Sequence, residues 1–180
     1  MKEEFPLEDE WLSYEIHPDT PPEGVPLERL FGPGAAQFME PLKARCLEMG
    51  LPFDPPARLS NTRLACEAAE FARDAGKLPE FHRAALAAYF ADGEDVGDVE
   101  VLVRIAEGLG LDGAALRTAL PAGTHAGRRK AAEQEARTLG VTGVPTYFFA
   151  EGPKVVGAQP LEQFRRLAAA LLAAQLAAEG

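Results

Sequence analysis

The chain has 180 residues, 47% apolar and 26% charged, which suits one soluble globular domain, or one domain with a large insertion, whose core needs no disulfides or metals. Its formal net charge is −10, and residues 1–24 set eight acids against Lys2; such a surface is repelled by phosphate backbones and anionic lipid, which argues against nucleic-acid and membrane partners. No apolar run reaches the roughly 18 residues of a membrane span, and the acidic start Met1–Glu10 reads as neither signal nor transit peptide, so a cytoplasmic location is expected.

The first expected element is a strand over Glu10–Ile16, where Leu12, Tyr14 and Ile16 alternate with Trp11, Ser13 and Glu15. It stops at His17-Pro18, and a proline-rich loop follows through Pro21, Pro22 and Pro26 to Pro33-Gly34. Residues 35 to about 140 read as helical. Ala35–Met49 is ended by Gly50, and Thr62–Ala75 is capped by Ser60 or Asn61 and ended by Gly76. A third helix has Pro79 in its first turn and runs to Ala91. A fourth is capped by Asp98 and carries the stripe Val101, Leu102, Ile105, Ala106, Leu109. Two more span Asp112–Ala119 and Gly127–Leu139.

The character then changes. Gly140–Pro145 is a turn-rich loop, Thr146–Phe149 an aromatic strand, Glu151-Gly152-Pro153 a tight turn and Lys154–Val156 a second strand. Pro160 opens a final helix to Ala178, with Leu161, Phe164, Leu167, Ala168, Leu171 and Leu172 facing inward.

The residues that carry chemistry are few. Cys46 and Cys66 form neither a C-x-x-C pair nor a metal-ligand spacing, and they read as buried structural thiols in a reducing compartment. His17, His82 and His125 make no zinc pattern; His82 reads as a surface helix residue. The informative segment is Gly143-Val144-Pro145 ahead of an aromatic strand, a hairpin and a terminal amphipathic helix. A proline there has no ladder hydrogen to donate, so it sits at a strand start or edge. The Val144–Pro145 bond is expected to be cis, as in a thioredoxin-type loop where Val144 would offer its N–H and C=O to an extended peptide, the alternative being a trans-proline that only opens the strand.

With Trp11–Pro18 and Asp19-Thr20-Pro21-Pro22, Gly50-Leu51-Pro52-Phe53, Ser60–Ala65, Ala88-Tyr89-Phe90 with Gly93 and Asp95-Val96-Gly97, Leu139–Pro145, and Gly157-Ala158-Gln159-Pro160, the chain resembles the DsbA-like thiol–disulfide oxidoreductases, and among them the FrnE-like branch. The resemblance implies an α/β class, a thioredoxin-like fold with an inserted all-helical domain. Residues 1–26 and 140–180 would form the discontinuous thioredoxin-like part and 27–139 the helical insert. It also implies thiol–disulfide exchange or isomerisation of protein or peptide substrates, without a cofactor. One alternative is a glutathione-linked enzyme similar to 2-hydroxychromene-2-carboxylate isomerases; another is a non-catalytic peptide-binding module.

Family members begin with a strand leading into C-x-x-C at a helix N-terminus, which lowers the thiol pKa. Here Lys2–Phe5 stand where that helix would end, so the first strand–helix unit and both catalytic cysteines are expected to be missing, through a misassigned start, a truncation or natural variation. The gap would lie between Glu10–Ile16 and Thr146–Phe149. The acidic N-terminal segment folding back, direct pairing of its two sides, or a strand from a second copy would fill it, a homodimer by strand pairing or exchange being cheapest. No catalytic residue is therefore assigned. The substrate-binding candidates are Gly143, Val144 and Pro145. Asn61 and Thr62 are helix caps or cleft-lining residues, and Glu15 is an exposed strand carboxylate or a buried acid that shuttles protons. Tyr89-Phe90 are core residues or a substrate-facing wall.

Overall fold

The computed structural model describes residues 1–54, 57–150 and 152–179. Its strands are short: β1 (Val25–Pro26) and β2 (Arg58–Leu59) form one antiparallel pair, β3 (Thr146–Tyr147) and β4 (Val155–Val156) another. Between and after them come α1 (Leu27–Phe31), α2 (Ala35–Glu48), α3 (Arg63–Asp74), α4 (Leu78–Phe90), α5 (Val99–Gly108), α6 (Gly113–Ala119), α7 (Ala126–Thr138) and α8 (Leu161–Glu179). Among the described residues no helix is long and apolar enough to cross a membrane.

Two helices, α5 and α6, start where an aspartate satisfies a free N–H group of the first turn. The Asp98 carboxylate accepts from the Glu100 N–H at 2.8 Å, and Asp112 does the same for Ala115 at 2.9 Å. Pro79 occupies the first turn of α4, where its missing N–H costs nothing. Amphipathic α3, α4, α5 and α6 pack around Phe81, Leu102, Val103 and Leu116, which are fully buried. Each such side chain contributes about 1.5–3 kcal/mol. Ala68, Ala72, Ala88 and Ala106 complete this core and, being small, let the helices approach closely. The α4 aromatics belong to its edge: Phe90 stacks on Phe53 at 5.9 Å, and the Tyr89 hydroxyl donates to the Arg58 carbonyl at 3.2 Å.

Among the described residues the expected sheet does not form. Glu10–Ile16 pairs with no strand among the described residues, and the expected Thr146–Phe149 and Lys154–Val156 strands shrink to two residues each. The Glu151–Pro153 turn has its first residue outside the described residues. The reason is backbone accounting: a strand needs a ladder partner for its N–H and C=O groups. Residues 9–20 instead run as a single strap, antiparallel to α3, with side chains as partners. The Trp11 carbonyl accepts from Arg73, the Pro18 carbonyl from Arg63 at 3.0 Å, and the Thr20 carbonyl from Asn61 Nδ2 at 2.6 Å. Trp11 also packs on His82 of α4, ring centroids 4.9 Å apart. His82 is therefore half-buried, and burial pulls its pKa below the ordinary histidine value.

At the N-terminus Glu4 makes a two-point contact with Arg165 of α8, at 2.8 and 3.0 Å. The acidic segment thus folds back, yet it supplies no ladder. On α8, Leu161 is exposed rather than inward, while Ala168 is buried and Phe164 meets Tyr147 edge-on at 4.8 Å.

Candidate functional site

After α7 the chain turns through Gly140, and Lys154 Nζ donates back to the Gly140 carbonyl at 3.0 Å, fastening the hairpin to the end of that helix. The Val144–Pro145 peptide bond is cis. Two bonds hold the loop: Thr146 Oγ1 donates to the Gly143 carbonyl at 2.6 Å, and the Gly157 N–H to the Pro145 carbonyl at 2.8 Å. Between them Val144 is 48% exposed, and among the described residues nothing hydrogen-bonds its N–H or C=O. The alternation of a strand puts Tyr147 and the buried Val155 on the α8 side, and Thr146, Phe148 and Val156 on the other. Phe148 and Val156 are exposed, so the loop borders an uncovered apolar face.

The strap meets this loop. Tyr14 Oη lies 3.4 Å from the Val141 carbonyl. Its neighbour Glu15 points the other way, into a buried charged cluster. Arg129 of α7 donates through Nε to Glu67 Oε1 at 3.2 Å and through Nη1 to Glu15 Oε2 at 3.2 Å; Nη1 also contacts Glu133. Arg63 Nε lies 3.7 Å from Glu15 Oε1. Burial, followed by the hydrogen bond with Glu133, raises the Glu15 carboxyl above its ordinary range, although Arg129 and Arg63 oppose this. The thiol of Cys66, on α3, faces Ser13 and Glu15; burial, with the Glu15 charge adding, pushes it up to about 12. Cys46 is half-buried in α2, and both cysteines are free thiols.

Glu15 is thus buried and not an exposed strand carboxylate, while Trp11, Leu12 and Ile16 are 46%, 45% and 49% exposed, so burial along the strap does not alternate as in a strand. Asn61 is committed at both ends of its amide, Nδ2 to Thr20 and Oδ1 to the Arg63 N–H at 3.0 Å. Thr62 is the N-cap residue of α3 but makes no side-chain capping bond. Ser60, 3% exposed, keeps a hydroxyl with no partner among the described residues. The structure brings Gly143, Val144, Pro145 and the strap of Glu15 together through Tyr14, and gives Asn61 and Thr62 structural work at the start of α3. Sequence reasoning missed Arg63, Glu67, Arg129 and Glu133. The signal was available on α7, where Arg129 shares the buried stripe of Ala132 and Ala136. Glu67 occupies the same kind of position on α3, beside Ala68.

The Bacillus subtilis (strain 168) protein YwbO is 28% identical over 151 residues, which cover 81% of this chain and 73% of that protein. The crystal structure of a probable DsbA oxidoreductase from Streptomyces coelicolor matches with a TM-score of 0.76 at 30% identity, over 86% of this chain and 71% of the other. A 2-hydroxychromene-2-carboxylate isomerase structure matches with a TM-score of 0.75 over 99% of this chain and 87% of its own; at 16% identity this likeness is one of fold. The model of the DSBA-like thioredoxin domain matches residues 9–169, from the strap to the middle of α8, and the chain belongs to that family.

Proposed function

We propose that this chain is the substrate-holding part of a DsbA-like protein thiol–disulfide oxidoreductase or isomerase, of the FrnE-like branch, working in the cytoplasm. The observation that carries the reading is Val144: an exposed residue with unpaired backbone donor and acceptor, between two bonds that hold its loop and beside an apolar face. An extended peptide added there gains main-chain hydrogen bonds from Val144 and apolar contacts for alternate side chains. Residues 27–139 serve as the helical insert and wall of the cleft. Exchange itself needs an attacking thiolate and a resolving thiol. Cys66, with its thiol near 12, cannot be that thiolate, and the sequence holds no C-x-x-C. In this reading the chain binds the peptide, and a low-pKa dithiol of the kind complete family members carry attacks its disulfide.

The test is fluorescence anisotropy with a labelled extended peptide that has apolar residues either side of a blocked cysteine. Replacing by an ester the one amide that pairs with the Val144 carbonyl should weaken binding about 2- to 13-fold, the worth of one hydrogen bond. Val144→Pro, which removes the N–H, should weaken it similarly. Equal binding by amide and ester peptides, and by the variant, would overturn the assignment.

A further inference from the structure

The cluster beneath the strap holds three carboxylates, Glu15, Glu67 and Glu133, against two guanidiniums, Arg63 and Arg129. Fully ionised it sums to −1; with one proton it is neutral. Water screens four of the five little, since the side chains of Glu15 and Glu67 are 5% exposed, Arg129 7% and Glu133 13%, while Arg63, at 45%, is the screened one. The two carboxylates that compete are identified by geometry. Glu67 has Arg129 Nε to itself, whereas Glu15 and Glu133 approach the same nitrogen, Nη1. A proton between Glu15 and Glu133 turns this crowding into a hydrogen bond, and its loss turns it into repulsion between an α7 residue and a strap residue.

We propose that Glu15, Glu133 and Arg129 form a proton-operated latch that holds the 9–20 strap on α3 and α7 and, through Tyr14, sets the seating of the Val141–Pro145 loop. From α3 the groups facing Glu15 are Arg63, Glu67 and the neutral thiol of Cys66; from α7 they are Arg129 and Glu133. The direction follows from linkage. The burial that raises Glu15 makes the folded, docked state bind the proton more tightly than the undocked one. Docking is therefore firmest on the acid side and loosens as pH rises through the raised value. Glu15 acts as a positioning residue, because Tyr14, the next residue, is what touches the loop. The consequence for substrate rests on the loop being the peptide site; the latch itself does not.

The chain carries its own reporter. Trp11 is the one tryptophan, and it sits on the strap. Because His82 packs against it and would add its own titration, the experiment uses His82→Gln as the parent. Trp11 emission is followed from about pH 5 to about pH 9, with far-UV circular dichroism to show that the helices persist. We expect a single transition in the parent and none in Glu15→Gln; in Glu133→Gln, where burial still raises Glu15 but the hydrogen bond with Glu133 is gone, the transition should move to lower pH. No transition in the parent, or the same transition in both variants, overturns the latch. A second arm measures peptide anisotropy over the same range. Binding that changes about fivefold or more in the parent but stays flat in Glu15→Gln supports the coupling. A Trp11 transition with pH-independent peptide binding overturns the link to the loop and leaves the latch. No peptide binding at any pH overturns the substrate reading, and the Trp11 arm judges the latch independently.

Discussion

Arg129 Nη1 lies 3.2 Å from Glu15 Oε2 across 114 residues of sequence, and both side chains are almost wholly buried. Removing the cation leaves Glu15, Glu67 and Glu133 without their shared partner. Arg129→Ala should therefore cost about 3–5 kcal/mol, read as a lower urea midpoint. The double variant Arg129→Ala, Glu15→Gln should recover part of that loss, because one fewer buried charge is orphaned. Additive losses would show that packing, not charge, holds α7 to the strap.

The two cysteines should differ in reactivity. The Cys66 thiol, pushed up to about 12, has a negligible thiolate fraction near neutral pH. In the native protein iodoacetamide should label Cys46 first and Cys66 only on unfolding, as peptide mapping would show. Insulin reduction by this chain should not exceed a free-thiol background, and Cys46→Ser or Cys66→Ser should leave that result unchanged.

Gly24 ends the proline-rich loop with φ +71°, and a Cβ added there would sit 2.5 Å from the Leu59 carbonyl oxygen. Both the left-handed backbone and the close approach to β2 demand glycine. Gly24→Ala should lower stability by more than about 1 kcal/mol, with faster hydrogen exchange at Leu27, whose N–H bonds the Ala57 carbonyl beside the β1–β2 pair.

Asp74, at the end of α3, accepts from Arg128 at 2.6 Å on each oxygen and meets His125 Nε2 at 3.1 Å. Arg128 first, and His125 with it, lower its carboxyl to about 2 from the ordinary 3.8. A lowered acid stabilises above its unfolded value, and the contribution is lost as pH falls through the folded one. The side chain is about half exposed, so solvent screening limits the effect to about 0–1 kcal/mol. The melting temperature of Asp74→Asn should fall below that of the parent near neutral pH, and the gap should close as pH falls from about 4 towards about 2.

Local chemistry was legible in the sequence. Asp98, Asp112, Pro79 and the glycines after α3 and α7 mark helix ends with bonds or dihedrals that any neighbour would respect. The turn-rich loop and the position of the hairpin followed from the same kind of signal, and the cis Val144–Pro145 bond from the order of loop, aromatic strand, hairpin and terminal helix. What failed depended on distant partners. The alternation in Glu10–Ile16 suggested a strand but not an unpaired strap with Glu15 buried, because Arg73, Arg63 and Arg129 supply its partners from distant helices. The two-residue β1–β2 pair has too little pattern to see, joining Val25 to Leu59 over a proline-bearing strand.

The strap has a consequence for the order of events in synthesis. Residues 9–20 leave the ribosome before the helices they tie, and Arg129, their deepest anchor, is made 114 residues after Glu15. At about 5–20 residues per second the strap waits roughly 6–23 s for α7. The core of α3–α6 is complete by Leu120, before α7 is made. The helical block can assemble from its own nearby contacts while Trp11, Leu12 and Ile16 remain open to solvent or to a chaperone. A segment made before α3–α7 is thus fixed in place only after they are.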